Sequence, residues 1–355
     1  MIEVFYSSAS LGALDTLAKT AGNKINPALD NFMFTSDGGV VASDGETSVK
    51  VFIDPIEGDP QDFCVDAKLL MEVIKTLPHQ PLRFELEDLK LTIVHHTGKF
   101  ELPIFPTSEY PQISFGEKGN TSIPSDKLLD IISKTSYSVA SDELRPVMNG
   151  IYFDFPNFVA TDGMRLIKYE TDIKADIDPF ILSPKPSSML KQILSKESGN
   201  TYISLNGDSA TFTTSRYVVN AVLIEGTYPN YNSVIPTNNS VKVEVDRLTL
   251  MGALRRVGVM SSSATELVKL SINSAESKMT ITGQDLDLST SAKESISCIS
   301  NGDLEIGFKS SFAIEILRNV TSDNIVLELE GATRAALFKP QDEKELTILL
   351  MPMMI

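Results

Sequence analysis

One pattern of elements recurs three times along the chain, and that repetition limits the possible folds more than any other feature of the sequence. The 355 residues divide into three segments, expected at 1–119, 120–239 and 240–355, each of ordinary domain size. Each opens with a short strand and an amphipathic helix, expected at Ser7–Ala21, Ser125–Val139 and Asp246–Met260. Ser125 or Asp126, and Asp246, suit the N-cap, where a short polar side chain accepts from the first free amides of a helix. Leu128, Leu129, Ile131 and Ile132 give the second of these helices an apolar stripe of helical period.

A strand pair with an acidic turn follows: Ala42-Ser43-Asp44-Gly45, then Ala160-Thr161-Asp162-Gly163, then the looser Ile281-Thr282-Gly283-Gln284-Asp285. A second helix is expected at Asp66–Leu77, Pro186–Lys196 and Ser310–Val320, and alternating strands such as Leu91–Val94 and Ile325–Leu329 follow it. The ends also match. Glu109-Tyr110-Pro111-Gln112-Ile113 parallels Thr227-Tyr228-Pro229-Asn230-Tyr231, with polar linkers at Gly116–Asn120 and Pro236–Ser240 and a final Met351-Pro352-Met353-Met354-Ile355. The pattern predicts three α+β copies in tandem.

Signals for chemistry are missing. The sequence holds no GxxxxGK[ST], no GxSxG and no HExxH. His95 and His96 are neighbours in an expected strand, so they point to opposite faces and do not share a metal. Asp-Gly after a strand reads first as a turn, with Asp bonding its own backbone and Gly supplying positive φ. A carbohydrate- or nucleotide-processing enzyme built on Asp44 or Asp162 is the rival reading, and it requires a deep polar cleft. Cys64 and Cys298 form no framework, no apolar run reaches membrane-span length, and Met1-Ile2-Glu3-Val4 does not read as a secretory signal. These features point to a cytoplasmic protein without membrane contact, and away from a cell-surface binding protein. The C-terminal methionines suit either core filling or an adaptable binding surface. A net charge of −16 opposes nucleic acid only if the charge is spread evenly.

Several segments, in order, resemble the beta subunit of bacterial DNA polymerase III, the beta sliding clamp family. They are Arg145-Pro146-Val147-Met148-Asn149-Gly150-Ile151, Val159-Ala160-Thr161-Asp162-Gly163-Met164-Arg165-Leu166, Tyr228-Pro229-Asn230-Tyr231 with Val234-Ile235-Pro236, and Leu350-Met351-Pro352-Met353. The resemblance implies three tandem DNA-clamp domains, each with two helices packed on antiparallel sheets, and a head-to-tail dimer closed into a ring. It implies a processivity factor with no catalytic residue, no metal and no cofactor. Duplex DNA would be held without base readout. The other implied partners are the DNA polymerase III alpha subunit, the clamp loader delta subunit, and other polymerases, mismatch-repair and ligase proteins that insert short apolar peptides.

Carried onto this chain, the family's peptide pocket falls on Met148, Thr161, Gly163, Met164, Arg165, Leu166, Pro229, Ser233, Val234, Thr265, Leu349, Leu350, Met351, Pro352 and Met353. Ser233 stands where Arg is frequent, Thr265 where a bulky aromatic occurs and Met164 where His is common. The DNA-facing cations implied are Lys24, Lys68, Lys75, Lys127, Lys134, Arg145, Lys191, Lys196, Arg247, Arg255 and Arg256. Lys68 and Lys75, like Lys127 and Lys134, are seven apart and share a helical face. The ring joint falls on Lys99, Phe100 and Leu102 of an edge strand and on Val259 and Met260 at a helix end.

Overall fold

A computed structural model describes residues 2–355. Its helices are α1 (Ser8–Leu11), α2 (Leu14–Leu17), α3 (Ala67–Thr76), α4 (Ser125–Thr135), α5 (Pro184–Leu194), α6 (Arg247–Gly258) and α7 (Ser310–Arg318). Asp66 and Asp246 cap α3 and α6, their carboxylates accepting from the Leu69 amide at 2.6 Å and the Thr249 amide at 2.7 Å. The first expected helix, Ser7–Ala21, is instead broken at Gly12 and Ala13. Short i→i+3 bonds such as Ala13 N to Ser10 O and Asp15 N to Gly12 O tighten the chain there. The second, expected to Val139, leaves α-helical geometry after Thr135 and ends in a 3₁₀ turn, Ser136–Ser138.

Twelve, nine and four strands make three sheets. Their connectivity differs from three self-contained copies. The Thr47–Phe52 strand of the first third pairs with Tyr217–Val222 of the second, and Arg165–Glu170 of the second pairs with Leu346–Leu350 of the last. Compactness follows this sharing. One unit holds residues up to Leu129 with Asp176–Asp178 and Lys185–Leu223; the other holds Asp130–Ala175, Pro179–Pro184 and Ile224–Ile355. Inside the first, the buried Phe34 and Phe63 rings stack at 4.5 Å, and Leu11, Leu14 and Leu17 are fully buried. Inside the second, Phe153 packs on Phe158 and Phe180, and Phe308 on Phe338.

The acidic turns are turns. Asp44 accepts from the Glu46 and Thr47 amides at 2.8 and 2.6 Å, Asp162 from Met164 and Arg165 at 2.9 and 2.8 Å, and Asp285 from Asp287 and Leu288 at 2.9 and 3.1 Å. Each carboxylate is occupied by its own backbone, which disfavours the acid–base reading. Among the described residues no three His, Cys, Asp or Glu side chains are grouped to hold a metal, and no helix is long and apolar enough to cross a membrane. His95 stacks on Phe100. Both cysteines are buried, and burial, then the Glu109 charge, pushes the Cys64 thiol up to about 12.

The Asp246 carboxyl is held below its usual range, first by the Thr249 side chain and then by the Thr249 amide. A depressed folded pKa means its contribution is present above the unfolded value and is lost as pH falls through the folded one. Asp246→Ala should cost about 1 kcal/mol in denaturant unfolding at pH 7, and the gap from wild type should narrow well below pH 4.

Candidate functional site

The second unit carries an apolar strip built by strand register. Thr161 pairs with Leu166, Leu166 with Leu349, and Leu349 with Leu337, so one rung crosses four neighbouring strands with its side chains on one sheet face. The adjacent row adds Val159, Tyr152 and Ile181. Tyr228 stacks on Tyr152 at 4.5 Å, and the Tyr231 hydroxyl donates to Asp154 at 2.7 Å. Burial, then that bond, raises the Tyr231 phenol far above its ordinary value. Ile224, Ile235, Ala335 and Met351 pack against the same cluster. The floor is therefore covered by the chain's own side chains, and apolar surface emerges at the rim through Met164 and Val234.

The rim is set by the Thr161–Arg165 turn. Gly163 has φ +88°, a region that L side chains rarely adopt, and a Cβ there would lie 3.0 Å from the Arg145 guanidinium. Met164 O accepts from the Met351 amide at 2.8 Å, one residue beyond the Arg165–Leu350 pair. Met353 then bonds Gly307 O at 2.8 Å, and a Cβ on Gly307 would come within 2.5 Å of Ile355. The C-terminal residues are thus tied down in a strand-like tail.

Of the expected pocket residues, Thr161, Gly163, Met164, Leu166, Leu349 and Met351 gather at this strip, with Pro229, Ser233 and Val234 on its exposed side. Pro352 and Met353 continue the tail. Others do not line it. Leu350 pairs with Arg165 on the opposite sheet face, where both are buried. Arg165 donates to Asp162 at 3.0 Å, Glu315 at 2.7 Å and the Tyr137 carbonyl at 2.7 Å, and its guanidinium lies 4.4 Å from the Phe312 ring. It braces the turn from behind. Met148 is buried, and Thr265 lines a separate depression of about 910 Å³ with Lys269, Thr282 and Ile355. Tyr152, Ile181 and Leu337 were missed, because alternation shows which residues share a face but not which strands are neighbours.

The cations divide as sharply. Lys134 is bound to Glu343 and lies 3.7 Å from Asp130, with a side chain only 12% exposed. Arg247 donates to the Ser322 and Leu317 carbonyls at 2.7 and 3.0 Å, closing the end of α7. Both are structural, and both leave the DNA-facing set. Arg145 pairs with Asp142 at 2.8 Å and sits against Gly163, so it belongs to the rim of the strip. Its side-chain bond, then the Leu144 amide, holds the Asp142 carboxyl below its usual range. Lys75 pairs with Asp15 and Arg256 with Glu294, whereas Lys24, Lys68, Lys196 and Arg255 are exposed, and Lys127 and Lys191 are half-buried.

At the expected joint, Leu102 points into its own core and Phe100 is half-buried; the outward face carries Lys99, Glu101, Pro103 and Phe105. Residues 98–103 pair on one side alone, since the next strand joins only at Ile104 and Phe105. A second open edge went unread: Thr290–Ser297 pairs with Lys278–Asp285 and has no neighbour on its other side. Val259 and Met260 are exposed beside it.

Models of the N-terminal, central and C-terminal domains of the DNA polymerase III beta subunit match residues 15–114, 122–230 and 232–354. The chain belongs to the DNA polymerase III beta subunit family. It is 26% identical to the beta sliding clamp of Pseudomonas aeruginosa, covering 83% of this chain and 82% of that protein. It is 25% identical to the beta sliding clamp of Bacillus subtilis, covering 95% and 92%. A crystal structure of the Pseudomonas aeruginosa clamp bound to griselimycin superposes with a TM-score of 0.93 over all of both chains at 23% identity, a likeness of fold.

If Lys134 is structural, Glu343→Ala strands its ammonium in a buried position and should cost about 3–5 kcal/mol. Thermal unfolding measures this. A loss within a few tenths of a kcal/mol, as typical of surface changes, would return Lys134 to the solvent-facing cations.

Proposed function

We propose that two copies of the chain join head to tail through their unlike open edges, residues 98–103 and Thr290–Ser297, into a ring around duplex DNA. Family membership makes the chain a DNA sliding clamp, a processivity factor of DNA replication without catalysis of its own. The observation that carries the ring is the pair of unequal free edges, one in the first third of the chain and one in the last. A heterologous contact of this kind closes when its rotation permits, and a free edge otherwise invites uncontrolled pairing. Phosphate contact by Lys24, Lys75, Lys127, Lys191, Lys196, Arg255 and Arg256 would be loose and independent of sequence, so the ring slides while its topology prevents escape. The three domains we propose are 1–119, 120–239 and 240–355, working in the cytoplasm.

The second activity is peptide capture at the apolar strip. Its partners in our reading are the polymerase alpha subunit, the clamp loader delta subunit, and other polymerases, repair and ligase proteins. Apolar anchors would enter between Met164, Val234 and Met351, and the flexible Met351 side chain must rotate off the covered floor. Arg165 and Glu315 would hold the turn while they do.

Two measurements test this. Loaded protein should stay on nicked circular DNA and leave once that DNA is linearised; equal retention on both would replace topology by ordinary binding. Removing Met351–Ile355 should weaken a labelled apolar peptide from the polymerase's clamp-binding segment at least about tenfold, roughly 1.4 kcal/mol, with dimer sedimentation unchanged. Unaltered peptide affinity in the folded truncation would remove the strip from the proposal.

A further inference from the structure

The hairpin that leads into the Thr290–Ser297 edge ends in Asp285-Leu286-Asp287-Leu288-Ser289, with Leu286 81% and Leu288 73% exposed. This tip is ordered by its own chemistry. The Asp285 carboxylate, itself buried, accepts from the Asp287 and Leu288 amides, and Ser289 takes φ 53°. The hairpin is fastened to the end of α6, because Met260 O accepts from Thr290 Oγ1 at 3.3 Å and Gln284 O from the Ser262 amide at 3.3 Å. Val259 and Met260 therefore belong with the two leucines to one exposed apolar end of the last third. A cluster of this kind on a water-soluble surface marks a contact.

In the first unit, a groove of about 470 Å³ is lined by the apolar Pro27, Leu69, Pro103 and Phe105 together with Asp30, Asp66, Lys68 and Glu72. Leu69 and Phe105 are 41% and 40% exposed. Pro103 and Phe105 lie at the C-terminal end of the strand whose residues 98–103 form the other open edge.

We infer that the Leu286–Leu288 tip of one copy seats in the Leu69–Phe105 groove of a second copy, giving each ring joint an apolar lock beyond the strand edges. The occupant follows from direction. Every strand pairing among the described residues is antiparallel. Antiparallel addition of residues 98–103 to Thr290–Ser297 brings Pro103, with Phe105 just beyond it, towards Thr290, and hence towards the tip. Parallel addition would bring Lys99 there instead. Asp30, Asp66 and Glu72 on the groove repel a carboxylate, so only the leucines of the tip enter while Asp287 stays at the mouth towards Lys68. Lys68 then serves the joint and not the DNA.

This inference rests on the head-to-tail ring, and the test separates the two. In full-length protein, Leu286→Ser with Leu288→Ser should raise the dimer dissociation constant on the order of 100-fold, as two partly buried leucines would; sedimentation equilibrium reads it. Both residues are solvent-exposed, so the fold should persist. Independently, Leu69→Cys with Leu288→Cys should give a covalent dimer on oxidation, with the native cysteines buried and silent. An unchanged dissociation constant together with no cross-link overturns the lock. Loss of the dimer on Val259→Asp with Met260→Asp alongside that result would leave the ring standing. Wild-type protein that sediments as a monomer at micromolar concentration overturns both.

Discussion

Everything distinctive in this molecule depends on strands of one third completing the sheet of the next. Thr47–Phe52 finds its partner in Tyr217–Val222, some 170 residues on, and Arg165–Glu170 finds its partner in Leu346–Leu350, about 180 residues on. A strand with one edge unmet leaves backbone groups without partners inside the protein, at a cost comparable to the hydrogen bonds forgone. The thirds are therefore obligate neighbours along the chain. Their packing shows it, since the middle third is divided between the two compact units.

The same register makes two related junctions with opposite chemistry. At the first, the rung equivalent to Thr161–Leu166–Leu349–Leu337 is Ser43–Ser48–Asn220–Thr211. Those side chains are spent on one another: Ser43 and Ser48 share a bond of 2.8 Å, and Thr211 donates to Asn220 at 3.0 Å. The linker between the first two thirds reaches the same sheet, with the Gly116 amide on Thr211 at 3.2 Å and Ser204 donating to the Glu117 carbonyl at 2.7 Å. A small apolar cluster of Leu29, Val41, Cys64 and Tyr110 lies beside this rung, but the rung itself offers an apolar anchor only satisfied polar groups, and leaving those unpaired is expensive. The second junction offers leucines and methionines. Both junctions nevertheless brace their acidic turn by an ion from the second helix of the following third: Lys185 of α5 reaches Asp44, and Glu315 of α7 reaches Arg165. The scaffold is repeated, and a handful of side chains decide which copy is apolar.

What the sequence made legible was local. The repeat, the Asp66 and Asp246 caps and the Asp-Gly turns depend on contacts within a few residues, and period and turn chemistry report those well. Two of the misplaced residues show how partners from elsewhere in the chain decide placement. Lys134 reads as a surface lysine until Glu343 is found 209 residues on, and Arg165 reads as pocket lining until Glu315 is found 150 residues on. Leu102 follows the alternation expected of it, but the alternation could not say that its face was the core. Thr290–Ser297 escaped notice because its composition, Thr-Ser-Ala-Lys-Glu-Ser-Ile-Ser, carries little of the apolar signal by which strands are recognised. An edge strand that must stay soluble before it finds a partner has reason to look so.

The charge puzzle has a similar resolution. A chain of net −16 looks unsuited to DNA until its cations are sorted by what already holds them. Lys134, Arg165 and Arg247 are consumed inside the protein, Arg145 is held by Asp142, and two of the cations we assign to phosphate contact, Lys75 and Arg256, also have carboxylates beside them. The cations left for DNA are a minority of those the sequence displays. Strong phosphate binding by a large basic surface would release many counterions and grip the duplex tightly. A sliding ring needs the reverse: contact weak enough to break at every step, with retention supplied by closure. In the ring we propose, the acidic excess is no obstacle, because the burden of holding DNA falls on the two joints and not on the surface that faces it.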